Sequence, residues 1–244
     1  MIDSPQQAPR TGNGILKRGL VIIILMVLCF ALFIAGKRGV ASISEFLVQE
    51  HLDAWAVSGK LPDDQNWNDV EGYFSFAEKL DSGNPGLLQL GGKLYEWRYL
   101  MASNEIAETA QSQAAHTFSE KSLDYYRNSL QLRPTWPYAW LDITSAKLRF
   151  NQLDEEFQQA FSQTLRFGYW DTDIQKGLLP LGFQSLTLLE KDTRKAFWEW
   201  MKAVAEKRPK EVIAAAETHG KLVIVCVGIQ GNEKIGRLCK KKGH

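Results

Sequence analysis

The chain has 244 residues and a formal net charge of +1, so its overall charge gives no general reason to expect a nucleic-acid partner. Its length suffices for one well-buried domain after a short N-terminal region. The three cysteines form neither a CxxC pair nor a cluster with histidine, so the sequence predicts no metal site and no cofactor.

The N-terminal region divides into a polar segment and an apolar run. Residues 1–13 carry Pro, Gln, Ser and Gly without periodicity, and we predict a disordered cytoplasmic segment over residues 1–19. Residues 20–36 contain no charge and no strongly polar side chain. As a helix they would be about 26 Å long, slightly short of a hydrocarbon core of ~30 Å, and the flanking basic pairs 17–18 and 37–38 have stems long enough to close the gap. We therefore predict a transmembrane helix over residues 20–36.

Two other interpretations of the apolar run stay open. A buried core helix would rarely be apolar on every face. A cleaved signal peptide is the stronger rival, since residues 39–41 are small, but the run exceeds the ~7 to 15 residues of a typical signal core and Lys37 and Arg38 stand where a neutral region is expected. The excess of positive charge before the run weakly favours a cytoplasmic N-terminus. The C-terminal domain, residues 37–239, would then face outward from a membrane that the chain crosses once.

Helices are predicted through the whole domain. Residues 41–57 present a broad apolar face, so a helix continues out of the apolar run until Gly59 and Pro62 end it. Further helices are predicted over residues 66–80 and 85–103. Later in the chain, Asp154 is predicted to cap a helix over 155–167 and Asp192 one over 193–207, and a helix over 210–218 follows Pro209.

Two seams between helices follow the tetratricopeptide pattern, which pairs two helices in a period of about 34 residues. In the second seam Pro134 ends one helix and Pro137 opens the next, where a missing N–H costs little. The first seam, at Pro85, lies 52 residues earlier, so about 18 residues are inserted relative to one repeat, and we place them in the polar stretch 101–116.

The repeat signature comprises Ala77, Pro85, Gly92, Tyr95, Tyr126, Ser129, Pro134, Pro137 and Trp140. Because such arrays generally need about three units, flanking helices are expected to complete the core. The predicted fold is therefore all-α, a single N-terminal transmembrane helix followed by a tetratricopeptide-like array of helical hairpins.

The C-terminal region contains one ambiguous element and one cysteine pair. Residues 222–229 are short and β-branched, so a strand and a buried helix compete; an all-helical neighbourhood offers a strand no partner, and we choose a helix. In an oxidising compartment a bridge between Cys226 and Cys239 would add about 3 kcal/mol, whereas two unrelated buried thiols are the alternative. Residues 240–244 are predicted to form a frayed basic tail.

No catalytic residue is predicted. The four histidines are scattered through different predicted helices, and none lies in a nucleophile, metal or phosphate-binding motif. Paired acids at 155–156 and at 171 and 173 stand near helix starts, where capping and the helix dipole account for them.

Several segments resemble the VpsP family of bacterial exopolysaccharide biosynthesis proteins. The most specific is Leu-x-Leu-Arg-Pro-Thr-Trp-Pro-Tyr-Ala-Trp at 130–140; segments 153–157, 167–170 and 219–226 support it. The resemblance implies a bacterial inner-membrane protein with one membrane helix, a cytoplasmic N-terminus and a tetratricopeptide-like domain, which with the orientation above lies in the periplasm. It also implies a non-enzymatic role in making or exporting an extracellular polysaccharide. It supplies no catalytic residues.

The functional hypothesis is a membrane-tethered adaptor that binds proteins of the polysaccharide polymerisation and export machinery. Membrane lipid is contacted through the one helix, and nucleic acid is not an expected partner. The residues predicted to bind the partner are Arg127, Arg133, Trp136 and Tyr138. The alternative is a periplasmic carbohydrate-binding or carbohydrate-active protein, with exposed tryptophan beside carboxylates separated by about 5 to 9.5 Å.

Overall fold

The computed structural model describes residues 12–104, 110–229 and 232–242, and within these ranges the chain contains eleven helices and no strand. The all-α prediction is therefore confirmed. The helices are α1 (Gly12–Ser58), α2 (Asp64–Leu80), α3 (Pro85–Asn104), α4 (Ala110–Leu132), α5 (Pro137–Arg149), α6 (Glu155–Phe167), α7 (Thr172–Gln184), α8 (Lys191–Lys207), α9 (Pro209–Thr218), α10 (Leu222–Gly228) and α11 (Glu233–Lys241). Of the segment predicted to be disordered, residues 1–11 lie outside the described residues, whereas residues 12–19 form the first turns of α1, so the prediction is wrong for that part.

Helix α1 joins the apolar run to the domain without a break. It has 47 residues, or about 70 Å at ~1.5 Å per residue. Residues 17–36 are exposed throughout, and by length and composition this helix can cross a membrane. Its packing against the domain begins at Ala41, which is 2% exposed, and continues through Val48 and Leu52. Gly59, with a φ of 63°, follows the end of the helix as predicted.

Local chemistry explains most helix starts. Asp154 accepts a hydrogen bond from the backbone N–H of Phe157 and caps α6 as predicted, and Pro137 and Pro209 occupy the first positions of α5 and α9. The prediction that Asp192 caps α8 is wrong. Helix α8 begins at Lys191, two residues earlier than predicted, because the backbone N–H of Arg194 bonds to the carbonyl of Glu190 and Asp192 lies inside the first turn.

The α3–α4 hairpin is held by an unusually close approach. A Cβ added to Gly92 would lie 2.3 Å from Cε1 of Tyr126, so only glycine leaves room for that buried ring. Ser122 donates a hydrogen bond to the carbonyl of Gly92 at 2.9 Å, and Ser129 donates to the carbonyl of Pro85 at 2.8 Å. Small and hydroxyl side chains therefore let the two helices come together at the seams.

The predicted insertion lengthens this hairpin. Helix α3 runs 20 residues to Asn104 and α4 runs 23 residues from Ala110, so most of the polar stretch 101–116 adds turns to the two helices. Residues 105–109 lie outside the described residues. Assignment of the hairpins to the tetratricopeptide class stays a prediction.

Three apolar clusters form the core. The first joins α1, α2 and α3 around Phe74 and Leu94; the second joins α4, α5 and α6 around Tyr126 and Ile143. The largest spans α6 to α11 around Phe197. The C-terminal helices thus extend the core, as expected for elements that flank an array.

The C-terminal end is helical and cross-linked. Residues 222–228 form α10, in agreement with the choice of helix over strand. A disulfide joins Cys226 to Cys239, whose Cα atoms are 5.9 Å apart. The expected basic tail is partly structured: Lys240 and Lys241 lie in the last turn of α11, and Lys242 Nζ donates to both carboxylate oxygens of Glu217 at 2.7 and 2.8 Å.

Candidate partner-binding groove

A groove lies between α1, α3 and α5, the first helices of three successive helix pairs. It consists of two adjoining hollows of about 510 Å³ and about 380 Å³, which share Gln49 of α1 and Lys93 of α3. We call it the α1–α3–α5 groove. Since its walls are three separate helices, it presents a continuous surface long enough to hold an extended or helical segment rather than a small molecule alone.

Each wall is a polar stripe at helical spacing. Side chains three or four residues apart lie on one face of a helix, and each of the three helices turns one such row into the groove. The rows are Ser42, Glu45, Gln49 and Asp53 on α1; Gly86, Gln89, Lys93 and Glu96 on α3; and Tyr138, Asp142, Ser145 and Arg149 on α5. Buried apolar residues of the same helices, such as Val48, Leu94 and Ile143, pack into the clusters described above, so the fold turns these polar rows outward.

The middle of the groove is organised around Asp142. Gln89 Nε2 donates to Asp142 Oδ2 at 2.6 Å, and Lys93 Nζ lies 4.0 Å from the same oxygen. Burial raises the pKa of the Asp142 carboxyl, while the charge of Lys93 and the hydrogen bond from Gln89 oppose the rise. The three side chains therefore form a preset hydrogen-bonding cluster that bridges α3 and α5.

The narrower hollow contains a second cluster, around the buried Glu96. Its carboxylate accepts a hydrogen bond from the Tyr126 hydroxyl and forms an ion pair with Arg149. Burial raises the pKa of Tyr126 and lowers that of Arg149, so the phenol stays protonated and donates at neutral pH. On the opposite wall Gln49 Nε2 donates to Asp53 Oδ1 at 2.7 Å.

The wider hollow is aromatic. Phe46 is 66% exposed and Trp136 is 38% exposed; Trp136 Nε1 donates to Gln89 Oε1 at 3.3 Å. The rings of Trp136 and Tyr138 lie 5.2 Å apart, and the guanidinium of Arg133 lies 5.6 Å from the Trp136 ring centre. Exposed aromatic faces beside an arginine are typical of the anchoring positions in protein interfaces.

The charge of the groove favours a cationic or donor-rich partner. Its lining contains four carboxylates, from Glu45, Asp53, Glu96 and Asp142, against the two cations of Lys93 and Arg149. Burial raises the pKa of Glu45, which accepts a hydrogen bond from Asn84 at 3.0 Å. The charges on α3 and on α5 balance, so the negative excess lies on the α1 wall, at Glu45 and Asp53, where it is complementary to lysine, arginine or amide donors.

The sequence-predicted partner residues are divided by the structure. Trp136 and Tyr138 line the groove and Arg133 stacks beside it. Arg127 lies elsewhere: its guanidinium donates twice to Glu156, at 2.8 Å each, and once to Asp124. Because its donors are committed inside the fold, we leave Arg127 out of the candidate site.

Most groove residues were not singled out by the sequence analysis. The rows on α1 and α3 are ordinary polar positions of amphipathic helices, and only the packing of three helices brings them together. A signal was nevertheless present, since each row repeats at intervals of three and four residues beside an apolar stripe.

No protein-family model, no curated protein and no solved structure matches the chain. Among residues 12–104, 110–229 and 232–242, no group of three or more His, Cys, Asp and Glu side chains is placed to hold a metal ion. The function proposed below therefore rests on the geometry of the α1–α3–α5 groove.

Proposed function

We propose that the chain is a membrane-anchored, non-enzymatic binding protein whose α1–α3–α5 groove holds a segment of another protein beside a bacterial inner membrane. The observation that carries the proposal is the convergence of three polar rows on one groove, with an aromatic end and a negative charge excess. Preset hydrogen bonds such as Gln89 to Asp142 reduce the entropy that binding would cost.

Membrane anchoring would help the groove to bind its partner. In this proposal the apolar part of α1 spans the bilayer and the domain faces the periplasm. Confinement to a membrane raises the effective concentration of partners in the same membrane, so a groove of modest affinity is occupied efficiently. The resemblance of segment 130–140 to polysaccharide biosynthesis proteins adds the finer proposal that the partner belongs to a polymerisation or export complex.

Site-specific photo-crosslinking in native membranes tests the binding role. A photoreactive residue replaces Gln89 in the groove, and a matched control replaces Gln159, which is exposed on α6. We expect the Gln89 probe to capture one membrane protein that the Gln159 probe does not, and D142K to reduce the capture by reversing the charge at the centre of the groove. Equal capture from both positions would contradict the groove as the binding surface. Capture of a protein unrelated to polysaccharide assembly would contradict only the finer proposal.

The aromatic hollow favours carbohydrate binding as a second candidate function. Trp136 and Tyr138 offer ring faces for stacking on sugars, and Gln49 and Gln89 lie beside them as hydrogen-bonding groups. One carboxylate, Glu45, lines this hollow, so we propose binding rather than hydrolysis, which commonly uses two. Titration with oligosaccharides of the producing cell's own polymer distinguishes the candidates. A saturable fluorescence change that is lost in W136A supports carbohydrate binding, and an unchanged signal rejects it.

A further inference from the structure

Some of the corners between successive helices lie beside residues 42–45 of α1, where this helix first packs against the domain. Asn84, in the α2–α3 corner, donates a hydrogen bond to Glu45 of α1 at 3.0 Å. Trp136, in the α4–α5 corner, lines the same hollow as Ser42 and Glu45. Since α1 enters from its N-terminal side, the corners after α2 and α4 are on the side from which the apolar segment enters.

Further contacts continue this edge to the far end of the array. Tyr138, in the first turn of α5, donates to Asp171 in the α6–α7 corner at 3.0 Å. Arg208, in the α8–α9 corner, donates to Thr172 at 2.7 Å, and the Lys207 ammonium lies 4.5 Å from the centre of the Trp170 ring. We call this row of corners, residues 81–86, 133–138, 168–173 and 207–211, the proximal edge. The corners at 59–64, 150–156 and 185–192 form the opposite, distal edge.

The proximal edge has the composition of a membrane interface. Of the eight tryptophans in the chain, the two that are exposed, Trp136 at 38% and Trp170 at 67%, both lie on it. Tryptophan and tyrosine are enriched where protein meets the headgroup layer.

The two edges also differ in charge, and the difference favours the proximal edge as the one that faces a membrane. The distal corners contain seven carboxylates and two cations, whereas the proximal corners contain four of each. On the proximal side Asp171 accepts hydrogen bonds from the backbone N–H groups of Asp173 and Ile174 and from Tyr138, and Asp173 is paired with Lys176.

On the distal side Asp64 is paired with Arg98, and Asp154 and Glu156 are paired with Lys147 and Arg127. These three neighbouring cations reduce the negative excess of the distal edge but do not change its sign. Anionic headgroups would therefore repel the distal edge and tolerate or attract the proximal edge.

The distance along α1 between the apolar run and the domain matches the thickness of a headgroup layer. The run ends at Gly36 and is about 26 Å long, so a hydrocarbon core of ~30 Å extends to about residue 38. A headgroup layer of roughly 5 to 7 Å covers about four more residues. Burial against the domain begins at Ala41, where that layer ends.

From these observations we infer that the proximal edge rests on the headgroups of an anionic bilayer, with Trp136 and Trp170 in the interface and the α8–α9 corner over acidic lipid. The inference rests on the membrane anchoring proposed above. The groove would then open toward the bilayer at its aromatic end, and its partner would enter from the membrane surface. A protein partner is the competing occupant of this edge, and pure lipid vesicles separate the two.

The test uses the full chain in vesicles of phosphatidylcholine and phosphatidylglycerol that contain a lipid with a nitroxide headgroup. Single cysteines carrying a fluorophore are introduced in a C29S background with the Cys226–Cys239 disulfide intact. Two proximal labels, S82C and T135C, are compared with two labels at the distal end, S58C and T187C; all four parent residues are uncharged and exposed. We expect several-fold stronger quenching of the proximal labels, and weaker quenching at T135C when W170S is added. Equal quenching on both edges would overturn the inference.

Two further arms separate possible failures. A label on the native Cys29, quenched by nitroxide on acyl chains, reports whether α1 is inserted. Insertion without proximal quenching rejects only the edge contact; no insertion rejects the anchor and the edge contact together, and the crosslinking test of the groove stands apart from both. Replacing phosphatidylglycerol by phosphatidylcholine is expected to weaken quenching at S82C and T135C, and quenching independent of lipid charge would overturn the assignment to anionic headgroups.

Discussion

Lys147 Nζ lies 2.9 Å from Glu156 Oε2 and 2.7 Å from Asp154 Oδ2, although only 1% of the lysine side chain is exposed. Glu156 is shared with Arg127 of α4, which donates to both of its oxygens. Glu156 therefore shares with Asp154 the neutralisation of a buried lysine of α5, and it alone joins that lysine to Arg127 of α4. A buried ammonium is tolerated only when it is paired in this way.

Substituting this carboxylate by an amide should weaken the fold. E156Q keeps the shape of the side chain but removes the charge that Arg127 and Lys147 share, and we expect a loss of about 2 kcal/mol in the free energy of unfolding. Urea unfolding of the full chain in detergent, followed by circular dichroism, measures it. E155Q is the matched control, since Glu155 is exposed next to it; an equal effect of both variants would contradict the role of the buried cluster.

The same carboxylate predicts a dependence of stability on pH. The hydrogen bonds from Arg127 lower the pKa of Glu156 from 4.5 to about 2. A carboxyl whose pKa is lowered by folding stabilises the native state above its unfolded pKa, and this contribution is lost as the pH falls from 4.5 toward 2. The difference in melting temperature between wild type and E156Q should therefore shrink over that range. A difference that stays constant as the pH is lowered would show that ionisation of Glu156 is not responsible.

The α3–α4 contact predicts opposite effects of one substitution at two glycines. G92A would place a methyl group 2.3 Å from the Tyr126 ring, and we expect a loss of about 1 to 3 kcal/mol. Gly72, inside α2, has no atom within 4 Å of an added Cβ, so G72A should stabilise by roughly 0.5 to 1 kcal/mol through helix propensity. Thermal unfolding of both variants provides the comparison, and stabilisation by G92A would refute the close packing.

The disulfide predicts a response to reduction. Its cysteines are 13 residues apart, and a loop of this length corresponds to about 3 kcal/mol of stabilisation in the chain-entropy model. C226S with C239S, or treatment with a reductant, should lower the denaturant midpoint of the α9–α11 region. C29S, in the apolar run, controls for loss of a thiol and should leave the midpoint unchanged. An identical midpoint in oxidised and reduced protein would contradict this contribution.

Local signals predicted the helices better than they predicted the site. Asp154 and Pro137 identify helix starts because capping and a missing N–H act within one turn. Asp192 is a wrong prediction of a cap because α8 already begins at Lys191, after the N-cap Glu190, and Asp192 lies inside its first turn. Asp142 and Gln89 meet across 53 residues of sequence, and no local pattern encodes that contact.

Helix α1 runs without a break from the apolar run into the domain, so it connects the two rigidly and not through a flexible linker. If the apolar half of α1 spans a membrane as proposed, a tilt or rotation of that half is transmitted along the helix to Glu45 and Gln49, which form one wall of the groove. Lipid thickness, or association of the apolar half with a neighbouring helix, would thus set the direction in which the binding surface points.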